Sequence, residues 1–172
     1  AMDGIKQRYS ELNIRIKKLN TNTGFAVANN IGARLANGKW IALLNADAFP
    51  DPDWLANLLV AAKQYPNAFF ASRQIQAGSP NLLDGEGDTY HISGLAWRRN
   101  YGYPLEKNHE ITEVFSPCAA AALYPRQAFL EVGGFDEDYF AYHEDVDLGF
   151  RLRLKGLRSY YISTAVVHHV GS

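Results

Sequence analysis

The chain has 172 residues, 47% of them hydrophobic, and a formal net charge of −1. That length and composition suit one soluble globular domain with a sizeable core, and the near-neutral balance argues against a protein that grips nucleic acid through overall charge. No apolar run of about 18 residues occurs, so no membrane-spanning helix is expected; no signal peptide is expected, and a single cysteine, Cys118, excludes an internal disulfide framework and makes a reducing compartment the default.

Residues 13–19, NIRIKKL, alternate apolar and polar and predict a short strand. The following TGFAVANNIGARLANG places Val27, Ile31 and Leu35 four apart with Gly38 after them, a helix with its stop. KWIALLNAD is a continuous apolar run, the pattern of a strand buried on both faces. It breaks into FPDPDWLANLLVAAKQYP, a helix capped by Asp51 or Asp53, with Pro52 near its first turn. Trp54, Leu55, Leu58, Leu59 and Ala62 form its expected inner side. NAFFASRQI then predicts another strand.

Alternating strands and helices mean an α/β fold, with a mostly parallel sheet and helices over it. Ligands of such sheets sit outside the carboxyl ends of the strands, where Asn45 and Asp47 lie. The 172 residues divide as one domain: 1–75, a long loop excursion over 76–113, and 114–172. The excursion is rich in Gly, Asn and Asp, and loops of that length are functional or disordered. EVFSPCAAAALYP returns to strand texture and RQAFLEVGG is a short helix closed by glycine. The last helix opens at the acidic HEDVD, with Val146, Phe150 and Leu154 expected inward, and SYYISTAVVHHV closes as strand.

Asp47, rigidly placed past a strand, suits a hard divalent cation completed by substrate oxygens; the rival is a turn aspartate ahead of Pro50. Asp147 stands four residues before Arg151 and is accounted for by that pair. Glu144 and Asp145 lack so simple a partner. A carboxylate at a helix start in a crevice is placed to take a proton from an attacking hydroxyl, and compensation of the helix dipole is the other account. His168 and His169 are adjacent in a strand and point to opposite faces, so at most one joins a given site. Cys118 is expected in the core. LAWRRNYGYP sets Arg98 and Arg99 among Trp97, Tyr101 and Tyr103, a loop suited to covering a sugar ligand or simply to being solvated. The acids at 136, 138, 144, 145 and 147 fail the spacing of a calcium-binding EF-hand.

These stretches together resemble family 2 glycosyltransferases. NTGFAVANNIGARLANGKWIALLNADAFPDPDWL is similar to that family's N-x-G-F…LLNPD-x-x-P region. AALYPRQAFLEVGGFDEDYFAYHEDVDLGFRLRLKG is similar to its acceptor-side region ending in E-D-x-D-L-x-x-R, and VVHHVGS to its closing H-x-G-S. The resemblance runs nearly the whole chain in order and is best with the rhamnosyltransferase-like branch that builds bacterial surface polysaccharides.

The resemblance implies a GT-A (Rossmann-like) fold and an inverting transfer from a nucleotide-diphospho-sugar donor, aided by Mn2+ or Mg2+, to a glycan or lipid-linked acceptor. On it, Asp47 and His169 fall on metal positions, and Asp145 on the catalytic base with Glu144 beside it. Asn22, Gly24, Phe25, Asn29 and Asn45 fall on the donor side; Gly134, Phe135, Asp136 and Trp97 on the acceptor side. No nucleic-acid partner is implied, and the expected place is the cytoplasm, at the inner face of the membrane. Asn45-Ala46-Asp47 replaces the usual Asn-Pro-Asp, leaving the ligand in place. At the front, Asp3-Gly4 matches only the tail of the family's D-N-x-S-x-D-G, so a fold incomplete at its N-terminal side, lacking also the C-terminal helices, is expected. Such a piece is expected to be a poor catalyst and to self-associate through an exposed sheet edge. The rivals are a non-catalytic binding module on the same fold, and a nucleotidyltransferase.

Overall fold

A computed structural model describes residues 4–105, 110–139 and 142–171. Asp3, matched above to a motif tail, lies outside the described residues. The elements in chain order are α1 (Ile5–Arg8), α2 (Gly24–Leu35), β1 (Trp40–Leu44), β2 (Ala48–Pro50), α3 (Trp54–Gln64) and β3 (Ala68–Gln76). There follow β4 (Leu83–Gly85), β5 (Asp88–Tyr90), β6 (Ala96–Arg98), β7 (Thr112–Val114), β8 (Ala121–Pro125), α4 (Arg126–Glu131), α5 (Glu144–Leu154) and β9 (Arg158–His169).

The main sheet runs β1-β8-β3-β9-β2, with β4 added beside β3 and β7 beside β9, while β5 and β6 form a separate hairpin. The sheet is mixed rather than mostly parallel. Among the described residues of this sheet only β3 and β9 pair in parallel; β1–β8, β3–β8, β2–β9, β3–β4 and β7–β9 are antiparallel. The alternation of strands and helices holds only as far as β3. β8 reaches its place after the excursion and so enters the sheet reversed between β1 and β3.

Both faces of the centre are covered. Phe69 and Tyr124 pack on one side with Phe129, Phe135, Leu148 and Leu152, beneath α2, α4 and α5. Phe70 and Leu123 pack on the other with Trp54, Leu58 and Ala62 of α3. Each fully buried Phe or Leu contributes roughly 1.5–3 kcal/mol relative to exposure, so neighbouring residues on one strand stabilise opposite layers.

Several sequence expectations change here. Residues 13–19 form no strand: Ile14 and Ile16 are half-buried, but no ladder pairs them among the described residues. β1 is an edge strand and alternates in burial, with Ala42 and Leu44 exposed, so it is not buried on both faces. In α2 the small Ala26, Asn30 and Ala33 face the core, while Leu35 is exposed. In α3 Leu55 is exposed and Ala61 takes its inward place. In α5 Leu148, Gly149 and Leu152 face in, and Phe150 and Leu154 are exposed. Gly149 has to face in: a Cβ there would lie 2.4 Å from Ser116 Cβ. Close helix–sheet approach selects the small residue, a signal that periodicity of large apolar residues cannot carry. Among the described residues no helix is long and apolar enough to cross a membrane.

Among the described residues the excursion carries β4, β5, β6 and the start of β7 rather than an open loop. It is tied down by a buried polar cluster. Tyr161 donates its hydroxyl hydrogen to Glu86 Oε1 (2.8 Å) and accepts from Arg73 Nε (2.6 Å), and Asn100 donates to Glu86 Oε2 (2.7 Å). Glu86 thereby joins the excursion to β9, and through Tyr161 to Arg73 of β3, with each carboxylate oxygen accepting a hydrogen bond.

A second buried polar device joins α2 to the turn after α4. Asn30 Oδ1 accepts the Phe135 N–H (2.9 Å) and Asn30 Nδ2 donates to the Phe135 carbonyl (2.8 Å). Gly134 has φ +75°, and a Cβ there would fall 2.3 Å from Asn30 Oδ1. Asn30→Ala strands both backbone groups in the core, and the expected cost is about 1–3 kcal/mol for each group left unsatisfied. Chemical denaturation is expected to show a lower midpoint with unchanged slope.

Candidate active site

At the carboxyl ends of β1 and β9 the chain encloses a cavity of about 470 Å3. Asn45 and Asp47 enter it from the β1–β2 turn, His169 from the end of β9, Glu144 and Asp145 from the start of α5, and Asp88, Trp97 and Arg98 from the β5–β6 hairpin. The carboxyls of Asp47 and Asp145 thus open into one space.

Asp47 sits in a tight turn. The Ala48 N–H donates to the Asn45 carbonyl (3.1 Å), and the Asp47 carbonyl accepts from Val170 N–H (3.0 Å). Its backbone is therefore held by β9 while its side chain stays partly open. Asp47 Oδ2 lies 3.5 Å from His169 Nε2. The other ring nitrogen, Nδ1, lies 2.7 Å from Asp84 Oδ2. A carboxylate only accepts, so Nδ1 carries the proton toward Asp84 and Nε2 faces Asp47. His168, on the opposite face, pairs with Asp51 at 3.3 Å and stays out of the cavity, as strand alternation requires.

Asp145 is fixed by backbone. Its Oδ2 accepts the Ala119 N–H (3.0 Å) and its Oδ1 the Val146 N–H (2.9 Å). Burial pushes its carboxyl above the ordinary range, against those N–H donors and Arg98. Glu144 is buried, and burial likewise raises it; its Oε2 has no hydrogen-bond partner among the described residues. The turn that presents the pair is strained: Tyr142 and His143, neither of them glycine, stand at φ 71° and 66°. Such conformations cost of order 1–3 kcal/mol each and concentrate at functional sites. Asp147 forms the expected pair with Arg151, Nη2 to Oδ2 at 2.6 Å, and Arg151 also donates to the Val132 carbonyl (2.7 Å).

The hairpin contributes what sequence reading undervalued. Arg98 is no solvated loop residue: Nη1 donates to Asp84 Oδ2 (2.8 Å) and Nη2 points to Cys118 Sγ (3.2 Å). Asp84 and Asp88 were not singled out at all. Their signal was LDGEGD, acids at every second position with glycines between, which is unusual for an open loop. The glycines permit close approach: a Cβ at Gly87 would lie 2.9 Å from both the Ser116 carbonyl and the Val114 side chain. Cys118 lies buried in the cavity wall, and burial pushes its thiol up to about 12, which makes it a poor nucleophile.

Other expected site residues fall elsewhere. Phe25, Asn45 and Trp97 line the cavity, but Asn22, Gly24 and Asn29 do not. Asn22 Oδ1 accepts the Gly24 N–H (3.0 Å) to open α2, and Asn29 Nδ2 donates to the Phe25 carbonyl (2.9 Å) within the helix. Phe135, only 1% exposed, packs edge-on against Phe25 and Phe129 in the core and cannot touch an acceptor. Gly134 and Asp136 shape that turn, Asp136 Oδ1 accepting the Asp138 N–H (3.0 Å). Among the described residues no three acidic, histidine or cysteine side chains are grouped to hold a metal by themselves.

Glycosyl transferase family 2 matches residues 2–133, which includes Asp47 and stops short of Glu144 and Asp145. An N-acetylglucosaminyl-diphospho-decaprenol L-rhamnosyltransferase of Mycobacterium tuberculosis is 30% identical over 193 aligned residues, covering 95% of this chain and 60% of its own length. Rhamnosyltransferase WbbL of Escherichia coli K12 is 46% identical over 81% of this chain and 58% of its own. The chain thus spans about 60% of the length of the mycobacterial relative. GalNAc-T7, solved with UDP, GalNAc and Mn2+, superposes with a TM-score of 0.75 at 17% identity over 95% of this chain and 34% of its own. The Pyrobaculum calidifontis mannosyltransferase PcManGT, solved with GDP-Man and Mn2+, gives 0.66 at 16%, over 95% of this chain and 41% of its own.

Asp88 supplies a pH test of the cavity wall. Burial and then the charge of Asp145 push its carboxyl from 3.8 up to about 8, against the Ser116 hydroxyl and Arg98. The folded chain therefore keeps a proton that the unfolded chain has lost. The resulting stability is complete below 3.8 and is lost as pH rises through about 8. Asp88→Asn keeps the shape and removes the titration. Thermal unfolding is expected to show the variant melting above the wild type near pH 8, by about 2–4 °C for each kcal/mol recovered, with the gap closing toward acid.

Proposed function

The chain belongs to glycosyl transferase family 2 and folds as a GT-A domain, and on that premise we propose that its cavity performs an inverting, cation-assisted transfer of a sugar from a nucleotide-diphospho-sugar to an acceptor hydroxyl. The observation that carries the reading is the opening of Asp47 and Asp145 into one cavity.

The residues present fit a divalent cation. Asp47 Oδ2 and His169 Nε2 are electron-pair donors 3.5 Å apart at the cavity wall, too far for a good hydrogen bond to each other. One hard oxygen and one imidazole nitrogen suit Mn2+ or Mg2+, with donor phosphates and water completing the shell. Charge points the same way: Asp47, Glu144 and Asp145 line the cavity, with Arg98 as the guanidinium among them. An anionic diphosphate enters such a field only with a cation. When bound, the cation would neutralise charge growing on the departing nucleoside diphosphate. GalNAc-T7 was solved with UDP, GalNAc and Mn2+ and PcManGT with GDP-Man and Mn2+, which supports the class of donor and cofactor.

Asp145 is the proposed base. Its two backbone N–H bonds hold it still, and its burial raises its affinity for a proton, both of which suit abstraction from a hydroxyl. The attacking oxygen closes on the anomeric carbon as the glycosidic bond to the diphosphate breaks, through an oxocarbenium-like transition state. A single base on the side of attack inverts the configuration. Trp97, half exposed at the cavity mouth, offers a face for a sugar ring, and Phe25 and Asn45 stand on the donor side. By analogy with the rhamnosyltransferase relatives, the acceptor is a glycan or lipid-linked saccharide of the cell envelope, met on the cytoplasmic side of the membrane.

Titration with a panel of UDP-, GDP- and dTDP-sugars is expected to show binding with Mn2+ that EDTA or Asp47→Ala abolishes. Asp145→Asn is expected to keep that binding and to lower transfer about 10²–10⁴-fold. Absence of binding to every donor, with the cation present, overturns the reading in favour of a binding module. Self-association belongs to the same proposal, since among the described residues β1 has a partner on one side only. Sedimentation is expected to show concentration-dependent association, and a clean monomer overturns it.

A further inference from the structure

We propose that Asp84 is a positioning residue: its Oδ2 holds His169 by the ring Nδ1 and so presents Nε2 beside Asp47 as a ready cation ligand. The proposal rests on the cation-assisted reading above and assigns a task to an excursion residue outside that reading.

The geometry is a chain of contacts through one oxygen. Asp84 Oδ2 accepts from His169 Nδ1 at 2.7 Å and from Arg98 Nη1 at 2.8 Å. Asp84 is 4% exposed and His169 7%, so neither contact is a surface accident. Two positively polarised donors on one buried oxygen keep that carboxylate aimed. Arg98 reaches Asp84 because Gly85 lies under its stem: a Cβ there would fall 2.4 Å from Arg98 Cγ. The adjacent glycine is thus part of the clamp, and the buried Glu86 and Asp88 follow it in the same segment.

The consequence is directional. An imidazole whose Nδ1 donates to a fixed carboxylate loses its rotational freedom and keeps its second nitrogen pointed one way. It also becomes a better electron-pair donor at that nitrogen. Here that nitrogen faces Asp47 Oδ2 across 3.5 Å. A histidine serving only to pack the end of β9 needs no such partner, because β9 is already held there by Ala48 on one side and Gln76 on the other.

Two measurements on the whole chain test this. Nitrogen-15 NMR of the metal-free wild type is expected to find the His169 proton on Nδ1, and Asp84→Asn is expected to lose that fixed assignment. Calorimetric titration with Mn2+, in the presence of whichever of UDP, GDP or dTDP the wild type binds, is expected to show affinity about 10–100-fold weaker in Asp84→Asn, and weaker still in His169→Ala. Unchanged Mn2+ affinity in a folded Asp84→Asn, or a wild-type ring without a proton on Nδ1, overturns the positioning role. A wild type that binds Mn2+ neither alone nor with UDP, GDP or dTDP present, while carrying the Nδ1 proton, overturns the cation reading instead, and supports Asp84 as the residue that holds the ring.

Discussion

The register of β9 governs the site. Its parallel ladder with β3 runs from Ala68↔Arg158 to Ser72↔Ile162, then skips to Arg73↔Val166 and continues to Gln76↔His169. The skipped residues re-aim the end of the strand. On the other edge His169 pairs with Ala48, which brings the Asp47 turn alongside. A slip of one residue would turn His169 to the other face and break its contacts with Asp47 and Asp84. The two chain regions that supply Asp47 and Asp84 meet only because β9 lies between β2 and the β3–β4 pair.

Around that frame the charges are arranged against their ordinary preference. Asp88, Glu144 and Asp145 are all raised by burial, in a cavity that also holds Asp47. Backbone N–H groups, Arg98 and the Ser116 hydroxyl oppose that burial for Asp88 and Asp145. A fold does not crowd carboxyls in this way for stability, since each costs desolvation. The arrangement makes chemical sense with a cationic group on one side and a proton-bearing hydroxyl on the other, which is the division of labour proposed for Asp47 and Asp145.

The excursion is the part of the molecule that completes the cavity. Glu86, bonded to Tyr161 and Asn100, fastens it to the sheet, and on either side of that anchor Asp84 and Asp88 reach the site. Stability and function are therefore served by alternate residues of one short segment. Glycines at 85 and 87 allow it, since side chains there would collide with Arg98, Ser116 and Val114.

Much of the site was legible in the chain order of residues. LLNAD, the acidic start of α5 and the paired histidines each occupy a local context, a strand end or a helix start, that a short window reveals. The α/β character and the helices near 24–35, 54–64 and 144–154 were equally local. Strand direction was not. β8 enters the sheet antiparallel after a long detour, and alternation of strands and helices cannot show that. Nor was the choice between Asn29 and Asn30, or the inward face of α5, because those depend on which small residue meets a neighbour at close range. The partnership of Asp84, Arg98 and His169 joins residues up to 85 positions apart. Local sequence determines which side chains can do chemistry at a strand end or helix start; only the packed sheet decides which of them share a cavity, because that depends on contacts between distant segments that no local pattern encodes.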